Sequence, residues 1–77
     1  MKKELAIIGY GRFGRLASRH LKKDFRVLVH DPELRIRTES GVSRVSIEEA
    51  ARKKLIVLAV PINKLRTVLK SLSPLLG

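Results

Sequence analysis

Apolar positions in this chain follow two rhythms, one short and unbroken, the other spaced at helical intervals. Glu4 to Gly9 (ELAIIG), Phe25 to His30 (FRVLVH) and Leu55 to Val60 (LIVLAV) are nearly continuous apolar runs. Runs of that length suit strands of a parallel sheet covered on both faces. From Gly11 to Lys23 the apolar residues Phe13, Leu16, Ala17 and Leu21 recur at helical spacing, with Arg12, Arg15, Arg19, Lys22 and Lys23 among the rest. That pattern predicts an amphipathic helix with a basic outer face. Ile62, Leu65, Leu69 and Leu72 predict the stripe of a last helix, opened by Pro61 and ended by Pro74.

The stretch between the second and last apolar runs is less regular. Asp31-Pro32 ends the second strand, and Glu33 to Gly41 reads as a weak helical turn or a loop, with Gly41 as a stop. Val42 to Val45 fits a short third strand. Ser46-Ile47-Glu48-Glu49 reads as a capping box, in which the Ser46 hydroxyl accepts from the Glu49 amide and the Glu49 carboxylate reaches back. A short helix to about Lys54 follows. Such alternation predicts an α/β fold, a partial Rossmann-like doubly wound parallel sheet of three to four strands with flanking helices. The first strand then lies between the second and the fourth, and LIVLAV pairs beside ELAIIG.

The junction of first strand and first helix carries the chemistry. Gly9, Gly11 and Gly14 in IIGYGRFG form a G-x-G-x-x-G fingerprint in strand-to-helix context. Gly9 suits the turn out of the strand, Gly11 lets a pyrophosphate approach the backbone, and Gly14 lets helix and strand pack closely. First-turn amides of the helix then face the phosphates. Asp31, about 20 residues further on, stands where an acid accepts from the adenosine ribose hydroxyls. Its charge opposes the 2′-phosphate of NADP and favours NAD, while Arg35 and Arg37 close behind it leave NADP possible. Arg12 is either a pyrophosphate or ribose contact or a solvated helix residue. Tyr10 and Phe13 are counted with the cofactor-binding loop, Tyr10 with an open side-chain role and Phe13 reading more as core than as cofactor contact. His20 fits the boundary of its helix better than a catalytic base, and His30 lines an adenine pocket or is a plain strand-end histidine. No residue is assigned catalysis, and no cluster has metal-ligand spacing.

Composition narrows the partners. Seventy-seven residues make one domain, 1–77, with room for about one of the two halves of a dinucleotide-binding fold, so it is expected to be incomplete. Seventeen Lys and Arg against seven Asp and Glu give a net charge of +10, spread along the chain. That excess draws anions, including a phosphate-bearing cofactor. Tyr10, Phe13 and Phe25 are the only aromatics and fall near or within the expected core, so a stacking surface for nucleic acid is not expected. With no cysteine, no secretory leader pattern and no membrane-length apolar run, a cytoplasmic protein is expected.

At IIGYGRFG, VLVHDP and LIVLAVP together the chain resembles the N-terminal half of the prephenate dehydrogenases, NAD(P)-dependent enzymes of tyrosine biosynthesis. The resemblance spans all 77 residues, and LIVLAV with Pro61 and a helix ending in SPLL carries most of it. It implies that Gly9, Gly11 and Gly14 hold the pyrophosphate and Asp31 the ribose. Ala59, Val60 and Pro61 would lie beside the nicotinamide-side ribose. The family's catalytic histidine and substrate-binding arginine match no position here, so an NAD-binding portion without its own catalysis is implied. Two other readings are a stand-alone NAD-sensing module, similar to the nucleotide domains of potassium-channel regulators, and a small basic nucleic-acid-binding protein. An uncharged edge along LIVLAV is expected to pair with a second copy, giving a homodimer, or to meet a further C-terminal domain.

Overall fold

The computed structural model describes residues 2–32, 38 and 40–76. Its apolar runs become β1 (Lys3–Ile8), β2 (Phe25–His30) and β4 (Ile56–Leu58), joined by a short β3 (Val42–Arg44). The strands form one parallel sheet in the order β3-β2-β1-β4, as the alternation predicts. β1 pairs with β2 along its whole length, from Lys3 opposite Phe25 to Ile8 opposite His30. This long ladder explains the unbroken apolar character of both strands, because each face of the pair is covered. Leu5, Ile7, Val27 and Val29 join Tyr10, Val42 and Ala59 in one buried cluster, while Ala6, Ile8, Ala50, Ala51 and Leu72 form a second. Burying each larger aliphatic side chain contributes roughly 1.5–3 kcal/mol.

α1 (Arg12–Leu21) covers the first cluster, and α2 (Ile47–Ala51) and α3 (Ile62–Leu72) cover the second, so helices lie on both faces of the sheet. A 3-10 turn, Ser73–Leu75, follows α3. Pro74 therefore sits inside that turn, after α3 has already ended at Leu72. α2 is shorter than predicted, but its start is as expected: the Glu49 amide donates to Ser46 Oγ at 3.2 Å. LIVLAV is also trimmed, since only Ile56 to Leu58 pair with β1.

Both amphipathic stripes are corrected by the structure. On α1 the buried residues are Gly14 and Ser18, with Ala17 and Leu21 partly buried, whereas Phe13 is 73% exposed and Leu16 also faces solvent. The physical reason is distance. Gly14 is so close to the Gly9 carbonyl that only a face of small residues fits there, and the large ones turn outward. Ser18 tolerates burial because its hydroxyl donates to the Arg15 carbonyl at 2.9 Å. On α3, Leu72 is buried and Val68 packs beneath it, but Ile62 is 89% exposed and Leu69 is exposed as well. His20, expected at the boundary of its helix, is exposed.

Gly41 turns the chain with φ +85°, consistent with its reading as a stop. The rest of the ambiguous segment, residues 33–37 and 39, with Arg35 and Arg37, lies outside the described residues. Among the described residues no helix is long and apolar enough to cross a membrane. No group of three His, Asp or Glu among them is placed to hold a metal ion.

Candidate functional site

The carboxyl ends of β1, β2 and β4 meet where the strand order reverses, which is where open α/β sheets bind ligands. Backbone bonds carry the pairing just beyond the strands: Gly9 N donates to the His30 carbonyl and Ala59 N to the Ile8 carbonyl, each at 2.8 Å. Three chain segments leave the sheet side by side at this point and enclose a cleft of about 330 Å³. That volume lies at the lower end of the range for small-molecule sites.

Gly9, Gly11, Asp31, Ala59, Val60 and Pro61 all line this cleft, so the structure brings together six of the residues read from the sequence. Tyr10, Arg12, Phe13 and Gly14 do not line it. Tyr10 is buried in the core, Gly14 is packed against Gly9, and Arg12 and Phe13 are exposed at the start of α1. Arg12, Arg15 and Arg19 instead flank a separate open groove along the outer face of α1.

The three glycines are not equivalent. Gly9 has φ +102°, and a Cβ there would lie 2.5 Å from the Ala59 carbonyl oxygen. A Cβ on Gly14 would run into the Gly9 carbonyl. Each is demanded by the protein's own backbone. Around Gly11, by contrast, a Cβ would meet nothing within 4 Å. Gly11 also caps α1 without any side-chain cap bond, and no acid occupies the first turn. The loop thus leaves a bare, positively polarised helix start beside the cleft.

Asp31 closes the loop from the other strand: the Tyr10 amide donates to its Oδ2 at 2.7 Å. His30 Nδ1 lies 3.1 Å from the Val45 carbonyl oxygen and, facing an acceptor, carries the proton. Sequence reasoning missed the far wall, which α3 supplies through Lys64, Thr67, Val68 and Ser71. Their spacing puts them on one helical face, but a polar face turned toward a cleft reads like one turned toward water.

The model of one protein family, described as NADP oxidoreductase, coenzyme F420-dependent, matches residues 4–77. No curated protein and no solved structure matches the chain. The family match supports an NAD(P)-binding Rossmann domain of an oxidoreductase; it does not extend to prephenate or to tyrosine biosynthesis.

Proposed function

The chain belongs to the family described as NADP oxidoreductase, coenzyme F420-dependent, and from that premise we propose how it holds its nicotinamide dinucleotide. The pyrophosphate lies over the loop from Gly9 to Gly14, and the adenosine ribose lies at Asp31. One observation carries this reading. Gly11 alone among the loop glycines has no partner that forbids a side chain, so its open space faces something other than the protein. A pyrophosphate fits that space, because the first-turn amides of Arg12, Phe13 and Gly14 present donors and a partial positive charge to it.

Asp31 plays two parts in this scheme. Its Oδ2 fixes the loop through the Tyr10 amide, and its carboxylate accepts from ribose hydroxyls. A carboxylate at that position repels a 2′-phosphate, so NAD is the preferred dinucleotide. The family's description names NADP, and Asp31 argues the other way for this chain. Ala59, Val60 and Pro61 stand beside the nicotinamide-side ribose, at the carboxyl end of β4.

The bound nicotinamide supplies the hydride chemistry, and these residues bind and orient it. The family's description reads coenzyme F420-dependent, whereas the segment LIVLAVP favours a prephenate-like acid as the partner. Either partner would meet the nicotinamide at the Ala59–Pro61 side of the cleft. Neither His20, exposed on α1, nor His30, bonded to Val45, is given an acid–base role.

Titration calorimetry with NAD, NADP and a short DNA duplex at two salt concentrations tests the reading. Saturable dinucleotide binding is expected at both, with duplex binding weak and falling steeply with salt. A duplex that binds at both concentrations while neither dinucleotide does would overturn it.

A further inference from the structure

His30 is the one cleft-lining histidine, and its two ring nitrogens have different fates. Nδ1 donates to the Val45 carbonyl at 3.1 Å, a bond that ties the tip of β2 to the residue after β3. A neutral imidazole has one donor and one acceptor. With Nδ1 committed as the donor, Nε2 is left as an acceptor, and among the described residues it has no hydrogen-bond partner.

The surroundings say which part of a ligand reaches it. If Asp31 takes the adenosine ribose, the base attached to that ribose falls on the adjacent wall, made of His30, Pro32 and Ile47. Pro32 and Ile47 offer apolar surface to a flat ring. The ring's edge then meets the imidazole. Building on the dinucleotide reading above, we propose that His30 is a specificity residue that selects adenine by accepting from its 6-amino group through Nε2. A base with a 6-oxo group turns an acceptor toward an acceptor there and is disfavoured.

The test compares NAD with nicotinamide hypoxanthine dinucleotide, which differs at that position, in one mildly alkaline buffer. Calorimetry on the wild-type chain should show NAD binding about tenfold more tightly, the scale of one good hydrogen bond made or opposed. His30→Asn retains an amide near the Nδ1 position, able to donate to Val45, but has nothing at Nε2. Its preference should fall to within about twofold while NAD still binds. His30→Gln restores an amide that can turn either way, so it should accept both dinucleotides.

Equal binding of the two dinucleotides by the wild type overturns the role of His30 and leaves the dinucleotide site standing. So does an undiminished preference in His30→Asn. Failure of either dinucleotide to bind overturns the site itself and this inference with it. Should the variants not fold, nitrogen NMR of the wild-type imidazole decides. A proton on Nδ1, and an Nε2 resonance that moves when NAD is added, are expected; a proton on Nε2 in the neutral ring overturns the proposal.

Discussion

The Tyr10 amide and the Asp31 carboxylate meet at 2.7 Å, joining the glycine loop to the tip of the neighbouring strand. One side chain therefore governs the shape of the loop as well as the ribose end of the cleft. Replacing Asp31 with Ser removes the charge that opposes a 2′-phosphate and loosens the loop. NAD affinity should fall about tenfold, the scale of one charge-assisted hydrogen bond. NADP should lose less, so the preference narrows or reverses. Competition calorimetry reads both, and tighter NADP binding by the wild type would remove Asp31 from the ribose.

Unequal roles for the loop glycines give a sharp contrast. Gly11→Val should keep the native circular dichroism, since its side chain enters open space, while dinucleotide binding drops below detection. Gly9→Ala and Gly14→Ala should instead lower stability by at least about 2 kcal/mol, because each new Cβ collides with backbone. Thermal melts and calorimetry on the three variants separate the two classes. Native NAD affinity in Gly11→Val would sink the pyrophosphate assignment.

At the opposite end of the sheet, Lys53 Nζ donates to Glu4 Oε1 at 2.8 Å and Arg26 lies 3.8 Å from Oε2. The Lys53 hydrogen bond, helped by the charges of Lys53 and Arg26, holds the Glu4 carboxyl below its ordinary value. A depressed folded-state value means the unfolded chain binds this proton more readily. The contribution is whole above the ordinary glutamate value of about 4.3 and is lost as pH falls through the lowered one. Lys53→Met should flatten that acid limb in urea melts taken across the range. The effect should be small and should shrink with salt, because the pair is partly exposed.

Among the described residues β4 pairs only with β1, and Leu55 just before it and Leu58 at its end are exposed, with no charge from Leu55 to Val60. We propose that a second copy pairs there. Two chains of charge +10 repel, so association should strengthen as salt rises, opposite to any ion-paired interface. Sedimentation velocity at micromolar concentration should show a dimer that Leu58→Lys weakens. A monodisperse monomer at high salt would dismiss the edge as its seat.

Strand order was legible because β1 and β2 are covered on both faces and show it as unbroken apolar runs. Gly9, Gly11 and Asp31 could be placed at one cleft because a glycine fingerprint and an acid about 20 residues on fix type and spacing together, whereas Ala59, Val60 and Pro61 joined them only through the family resemblance. Helix faces were not. Periodicity weights large side chains, so it turned Phe13 and Leu16 inward where close backbone contact at Gly14 admits only small residues. Ile62 and Leu69 misled in the same way, since Val68 and Leu72 form the packed side of α3. Lys64, Thr67 and Ser71 escaped notice because helical spacing cannot say which polar face looks into a cleft.

The cluster of Glu4, Arg26 and Lys53 lies at the amino ends of the strands, and the cleft at their carboxyl ends, a strand length of roughly 20 Å away. Substitutions that far apart with no shared partner act independently. The chain also has no cysteine, so a thiol introduced at exposed Arg26 would be its only one. A dye or a surface tether attached there would hold the protein by its blunt end, with the cleft turned outward. The fold thus provides its own handle for single-molecule or surface-based ligand screening.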